Sequence, residues 1–304
     1  MKKETTFILP YLILLRPYQW AKNILVFSGL IFSTSLFKSH DVRISLAAFF
    51  IFCLASSSIY ILNDLRDIEN DKEHPEKRYR PIASGKVSPV AAVIMMSISL
   101  PSSLLLAYLL NRGFFTIIAI YLILNIGYSF GLKKIVLLDA MIVAMGFLLR
   151  AFAGCAVINV EVTPWLFICT LTLALTLTFG KRRNELNSLK EDAKNHREAL
   201  QFYNTKFLDI ILTICSATTI GTYSLYTMAG ETVQRFGTQK LIITMPFVMY
   251  GVFRYLYLIY TKNKGGDPTA LLLNDFPTIL NGLLWLLSIV YVIYGSKLFT
   301  IINL

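Results

Sequence analysis

Three aspartates follow an apolar run at a spacing that could bind a divalent cation, in YILNDLRDIENDKEHPEKRYRPIASG at residues 60–85. On a helix with about 100° per residue, Asp64, Asp67 and Asp71 fall within roughly 60° of one another, and Asn63 lies beside them. Close carboxylates repel each other unless a cation lies between them. Mg²⁺ suits this pattern, because it binds one or two carboxylates together with phosphate oxygens of a substrate. We therefore predict that all three aspartates bind Mg²⁺.

Basic side chains come directly after these aspartates, at Lys77, Arg78, Arg80 and Lys86. They could bind the remaining oxygens of a polyanionic ligand, because charge-assisted hydrogen bonds to phosphate are strong. The alternative is a solvated loop in which the two signs of charge cancel. The common face of the aspartates and their place at a membrane boundary favour a binding site, with Asn63, Lys77 and Arg80 as candidate substrate-binding residues.

Long apolar segments must position these side chains. The chain has 304 residues, of which 55% are hydrophobic, and its mean hydropathy is +0.59. These values indicate a polytopic membrane protein. A spanning helix needs about 20 apolar residues, and nine segments are candidates: about 24–37, 44–62, 89–110, 114–132, 135–158, 164–180, 207–229, 241–260 and 276–295. We predict an all-α fold with about nine transmembrane helices in a single domain over 1–304, preceded by an interfacial helix at 5–20.

The charge distribution predicts the orientation of the chain in the membrane. The net charge is +11, yet no basic helix or nucleic-acid-reading motif is present, so nucleic acid is not an expected partner. Most Lys and Arg residues lie at the N-terminus and in alternate loops, which are expected on the cytoplasmic side. The four cysteines lie in apolar segments without a CxxC pair and are predicted to be free thiols.

Several motifs resemble one family of membrane enzymes. N-D-x-x-D-x-x-x-D followed by R-P-x-x-x-G resembles the first signature of the UbiA-type prenyltransferase superfamily. The segments LRPYQWAKNILVF, YSFGLKKIVLLDAMIVAMGFLLRAFAG and GKRRNEL narrow the resemblance to its decaprenyl-phosphate phosphoribosyltransferase branch. The family fold implies nine helices around a cytoplasm-facing polar cavity. The number of predicted spans agrees with it.

The resemblance also implies a reaction. The family branch transfers 5-phosphoribose from phosphoribosyl diphosphate (PRPP) to a polyprenyl phosphate and releases diphosphate. It implies Mg²⁺ as cofactor, PRPP, a polyprenyl phosphate and membrane lipids as partners, and a location in the bacterial inner membrane with the active site facing the cytoplasm. The acceptor phosphate, with a second pKa of about 6, is largely ionised at neutral pH and needs no general base. Homo-oligomerisation is left open by the sequence.

The second acidic motif of ordinary prenyltransferases, D-x-x-x-D after the sixth span, is missing. This chain reads GKRRNELNSLK there, with Glu185 as the only acid of its first turns. Lys181 and Arg182 suit a site that binds several phosphate groups, and Glu185 is a catalytic candidate beside Asp64 and Asp67. An aromatic prenyltransferase with a polyprenyl diphosphate donor is the first alternative, which the missing motif disfavours. A membrane transporter is the second, which the clustering of charge on one side disfavours.

Five more candidate substrate-binding residues lie near the ends of spans or inside them. Lys22 is either an interfacial anchor or, as the resemblance implies, a phosphate contact. Tyr128 and Lys133 flank the fourth and fifth spans, where Lys133 could also be a topology signal. Asp139 and Arg150 are ionisable groups in or near a span, where such groups are functional candidates by default. Eleven residues separate them, roughly 16 Å along a helix, so a direct pair is not expected.

Overall fold

Helices make up all regular structure in the described part of the chain, which comprises residues 2–189, 198–262 and 268–302 of a computed structural model. The α-helices are α1 (Lys2–Leu14), α2 (Ser28–Phe32), α3 (Ser39–Arg66), α4 (Ile68–Glu73), α5 (Pro89–Leu110), α6 (Arg112–Phe130), α7 (Leu138–Val157), α8 (Pro164–Leu189), α9 (Thr205–Met228), α10 (Gly230–Phe236), α11 (Met245–Lys262), α12 (Pro268–Asn274) and α13 (Phe276–Ile302). Short 3-10 helices lie at Pro17–Phe27, Lys77–Tyr79, Leu132–Lys134, Glu198–Phe202 and Lys240–Thr244. The predicted all-α class is confirmed.

Eight helical segments in the described ranges are long and apolar enough to cross a membrane: Ser39–Arg66, Pro89–Leu110, Arg112–Phe130, Leu138–Val157, Pro164–Asn187, Thr205–Met228, Lys240–Lys262 and Phe276–Gly295. They correspond to the second to ninth predicted spans. The chain is therefore an integral membrane protein. The predicted interfacial helix at 5–20 corresponds to α1, which ends earlier, at Leu14.

The first predicted span, 24–37, is built differently from the other eight. This part of the chain contains the end of the 3-10 helix Pro17–Phe27 and then α2, which has only five residues. The two consecutive helices start beside the C-terminal end of α3, where Arg16 contacts Asp64, and lead to the N-terminal end of α3 at Ser39. The segment packs against α3 and α7.

Two glycines allow this segment to approach α7 closely. A Cβ atom on Gly29 would lie 2.6 Å from the carbonyl oxygen of Gly154. A Cβ atom on Gly154 would in turn overlap the backbone of Val26. The backbone of the segment is therefore in direct contact with α7, which fixes the side chains just before it relative to the bundle.

The bundle places three charged segments at the same end. α3 packs against α5, α6 and α7, α7 packs against α8, and α8 packs against α9. α3 and α7 are the most buried spans, whereas α13 is the least buried and exposes large apolar side chains. The C-terminal end of α3, the N-terminal end of α7 and the C-terminal end of α8 hold the predicted site residues Asn63, Asp64, Asp139, Lys181, Arg182 and Glu185. The four cysteines are free, as predicted.

Candidate active site

Asp64 is buried at the end of α3 between two arginines. Its side chain is 2% exposed. Arg16 donates a hydrogen bond from Nη2 to Oδ1 of Asp64. Arg80 donates from Nη1 to the same oxygen at 3.0 Å and to Oδ2 of Asp71 at 2.6 Å. Asp64 and Asp71 therefore lie within reach of one guanidinium group, close together as the spacing predicts.

The helix that carries the aspartates is broken at Asp67, contrary to the continuous helical face assumed from the sequence. Asp67 lies between α3 and α4 with φ −100° and ψ 16°. Its carboxylate accepts hydrogen bonds from Nζ of Lys133 at 2.9 and 3.2 Å. Asn63 accepts a hydrogen bond from Ser129 and so connects α3 to α6.

The three carboxylates fit a divalent cation in their chemistry but are not preassembled around one. Carboxylate oxygens are the ligands that Mg²⁺ prefers, and Asp64 and Asp71 already share one cation, Arg80. Within the described residues, no three acidic, histidine or cysteine side chains are grouped closely enough to hold a metal ion. In this state arginine and lysine side chains neutralise the carboxylates.

A cationic group without an acidic partner lies near Arg16. The side chain of Lys22 makes no hydrogen bond or ion pair with any described residue. Burial, followed by the nearby charges of Lys181, Arg150 and Arg16, holds the pKa of Lys22 well below its usual range. Such an arrangement is unfavourable for the empty site and becomes favourable when an anion binds. Lys22 and the neighbouring cations Lys181, Arg150 and Arg16 therefore form a candidate phosphate-binding site.

Arg150 is buried among neutral acceptors. It is 5% exposed and donates from Nε to Oδ1 of Asn23 at 2.7 Å, from Nη1 to the carbonyl oxygen of Gly146 at 2.5 Å, and from Nη2 to the hydroxyl of Tyr121 at 3.1 Å. Asn23 also donates to side chains of α3. Arg150 thus connects α7 to the segment that holds Lys22. It makes no pair with Asp139, as expected from their separation along the helix.

The partner of Asp139 is Arg182. Asp139 is fully buried and Arg182 is 2% exposed. Nε of Arg182 donates to Oδ2 of Asp139 at 2.7 Å, and the hydroxyl of Tyr203 donates to Oδ1 at 2.7 Å. Burial and then the hydrogen bond to Asp139 raise the pKa of Tyr203, so its hydroxyl remains a donor. This buried ion pair connects α7 to α8, which favours a structural role for both predicted substrate-binding residues.

Glu185 lies one turn further along α8. Nη1 of Arg182 donates to its Oε2 at 2.9 Å, and Nζ of Lys181 lies 3.9 Å from its Oε1. The predicted face shared by Lys181 and Glu185 is therefore present. Residues 190–197, in the charged loop 181–206, lie outside the described ranges.

The remaining candidates are positioned by short local contacts. Lys77 lies in a 3-10 turn in which Nδ1 of His74 accepts backbone hydrogen bonds from Glu76 and Lys77 at 3.1 and 3.3 Å. Tyr128 is partly buried near the end of α6, close enough to Arg182 to interact with its charge. His74 thus shapes the turn that carries Lys77.

Three residues of this site were not among the sequence candidates: Arg16, Asn23 and Tyr203. Arg16 and Asn23 stand in LRPYQWAKN, a segment used for the family resemblance, and Arg16 directly precedes a proline. Tyr203 precedes a span, and no catalytic or binding motif adjoins it in the sequence. Their partners are 48, 127 and 64 residues away, which local spacing does not indicate.

Comparisons with known proteins agree with this architecture. The UbiA prenyltransferase family matches residues 23–287. A Corynebacterium glutamicum protein named decaprenyl-phosphate phosphoribosyltransferase is 31% identical over 94% of this chain and 87% of its own length. A protein of the same name from Mycolicibacterium smegmatis is 31% identical over 92% of this chain and 91% of its own. A UbiA homolog from Archaeoglobus fulgidus, solved with GPP and Mg²⁺, has a TM-score of 0.71 at 20% identity, covering 93% of this chain and 99% of that one.

Proposed function

Because this chain belongs to the UbiA prenyltransferase family, we propose that it transfers 5-phosphoribose from PRPP to a polyprenyl phosphate and releases diphosphate. The motif-based family assignment is thereby confirmed. The names of relatives that match nearly the whole chain support the proposed reaction. The structural observation that carries it is Lys22, which lies without an acidic partner in the described ranges and beside the charges of Lys181 and Arg150.

Asp64, Asp67 and Asp71 would hold the divalent cation, with Mg²⁺ as the proposed ion. Structures of the same fold solved with Mg²⁺ or Cd²⁺ support this choice. When bound, the cation neutralises charge on the departing diphosphate. The three carboxylates have the oxygen ligands for it, provided that Arg16 and Arg80 release them.

The protein's own contribution to the reaction is charge and position. Lys22 and Lys181 bind phosphate oxygens of PRPP, and Glu185 accepts a hydrogen bond from a ribose hydroxyl. The bond between ribose C1 and the diphosphate oxygen breaks, and its electron pair leaves with diphosphate. A phosphate oxygen of the acceptor forms the new bond to C1. No proton has to be removed from an ionised acceptor, so no side chain acts as general base.

The proposed enzyme lies in the bacterial inner membrane with its site facing the cytoplasm. The ends of α3 and α8 and the start of α7, which carry the site, adjoin basic segments of the chain. Basic residues of short loops favour the cytoplasmic side. The phosphoribosyl donor is a charged, water-soluble compound, which is consistent with this orientation.

Comparing donor and acceptor pairs distinguishes the proposed enzyme from an aromatic prenyltransferase of the same fold. Purified protein in detergent with Mg²⁺ is supplied either with PRPP and a polyprenyl phosphate or with a polyprenyl diphosphate and an aromatic acceptor. We expect diphosphate release only from the pair that contains PRPP, and its loss with EDTA. Glu185 is the only acidic residue of α8 and accepts a hydrogen bond from Arg182, so this helix has no second acidic cluster for a prenyl diphosphate. Release only from the prenyl donor would refute the proposal.

Replacing Lys22 with Met should weaken PRPP binding without weakening the fold. Loss of one charge-assisted phosphate contact, worth about 1.5–3 kcal/mol, should raise the KM for PRPP roughly ten- to hundredfold. The melting temperature without ligand should stay equal or rise, because Lys22 is repelled by its neighbours in the empty site. The control is Lys72→Met, since Lys72 is exposed and pairs with Glu69 at 2.8 Å. An unchanged KM for PRPP in Lys22→Met would remove Lys22 from the site.

A further inference from the structure

Arg16 has an unusual backbone conformation at the junction between α1 and the following 3-10 helix. Its φ and ψ are 53° and 58°, in the left-handed region. Residues other than glycine adopt this region rarely, and a following proline further restricts the preceding residue. Such conformations persist only where the surroundings hold them, and they are often found at functional sites. Here the conformation accompanies the contact between Arg16 and Asp64.

A cavity of about 410 Å³ adjoins this contact. Its lining residues are Ile13, Arg16, Pro17, Tyr18, Gln19 and Arg80. The charged groups among these are two guanidinium groups, so the cavity suits an anion. The same two arginines bind Asp64. Each arginine therefore contacts a carboxylate and also lines the cavity.

The charges of the two arginines and the two aspartates balance only while no divalent cation is bound. Arg16 and Arg80 offset Asp64 and Asp71. Both arginine hydrogen bonds to Asp64 end on its Oδ1. A divalent cation that binds this carboxylate competes with the two guanidinium groups for its negative charge and repels them, which favours their release. A displaced guanidinium beside a cavity is available for a phosphate group.

We propose that Arg16 exchanges partners during donor binding: it neutralises Asp64 in the empty site and binds a phosphate group of the donor once a divalent cation takes Asp64. This inference rests on the proposed function. Arg16 is then a competitor of the cation for Asp64 and also a ligand of the donor. Substitution of Arg16 should therefore strengthen binding of the cation and weaken binding of the donor. A purely structural role of Arg16 does not predict these opposite effects.

Titrations of Arg16→Gln separate these roles. Calorimetry with Mg²⁺ alone should give about tenfold tighter binding than in the wild type, because a competing cation is gone, whereas PRPP in the presence of Mg²⁺ should bind about tenfold more weakly. The matched control is Arg66→Gln, because Arg66 lies two residues from Asp64, is exposed and contacts the ring of Phe130 at 4.1 Å. This variant should match the wild type in both titrations.

Weaker or unchanged binding of Mg²⁺ alone by Arg16→Gln would overturn the inference. If Arg16→Gln fails to fold, Arg16→Lys is tested in its place. This variant retains a positive charge but loses the guanidinium group, and it should bind Mg²⁺ more tightly than the wild type. Equal Mg²⁺ affinity of Arg16→Lys and wild type would then contradict it. Failure of the wild type to bind PRPP at all would refute the proposed function instead, and the titration with Mg²⁺ alone distinguishes the two failures.

Discussion

Replacement of Asp64 by Asn is expected to reduce phosphoribosyl transfer by about a thousandfold. Asp64 is buried, accepts hydrogen bonds from Arg16 and Arg80, and shares the guanidinium group of Arg80 with Asp71. An amide cannot supply the negative charge that holds the divalent cation, and removal of one preorganised electrostatic group typically costs about 10²–10³ in rate. Diphosphate release at saturating PRPP, with membrane insertion and melting temperature as checks, measures the effect.

Asp41→Asn is the matched control, because Asp41 lies in the first turn of the same helix, at the end far from the site. It should retain wild-type turnover. Adding Mn²⁺ or raising the Mg²⁺ concentration should restore little activity to Asp64→Asn, since the variant lacks a negatively charged ligand for either ion. Turnover of Asp64→Asn within tenfold of the wild type would remove Asp64 from the reaction.

Replacement of Arg182 by Met is expected to destabilise the protein by about 3–5 kcal/mol, because it removes one half of the buried ion pair between Asp139 and Arg182. The free energy of unfolding in detergent measures this loss. The double variant Asp139→Asn/Arg182→Met should recover part of it, since both charges are then gone. Arg254→Met is the control, because the Arg254–Asp275 pair at 2.8 Å is partly exposed and should contribute little to stability.

The same variants distinguish a structural from a substrate-binding role of this pair. If Arg182 connects α7 to α8, the folded fraction of the variant should keep a KM for PRPP near that of the wild type. A large rise in this KM with an unchanged free energy of unfolding would restore the substrate-binding role predicted from the sequence.

The sequence predicted those parts of the site that depend on local spacing. Asp64 and Asp71 are close because seven residues span about two helical turns, even though the helix is broken at Asp67. Arginine and lysine partners could not be predicted in this way. Arg16 and Lys133 reach the aspartates from 48 and 66 residues away. Such pairs are set by how the helices pack.

Hydropathy predicted the eight long spanning helices, but it could not show that the segment 24–37 is built from two short consecutive helices. An apolar run is equally suited to contact with lipid and to contact with protein. Here the close approach between Gly29 and Gly154 places the segment against α7. Periodicity also could not show that the partner of Asp139 is a side chain of the next helix, because it describes only one helix at a time.

Identification of the product tests the central claim most directly. Purified protein is incubated with PRPP, Mg²⁺ and a polyprenyl phosphate, and the lipid fraction is analysed by mass spectrometry, with Asp64→Asn as the inactive control. The account predicts a new lipid heavier than the acceptor by one phosphoribosyl group, together with one diphosphate per product. Diphosphate release without this lipid, or no new lipid from the wild-type protein, would contradict it.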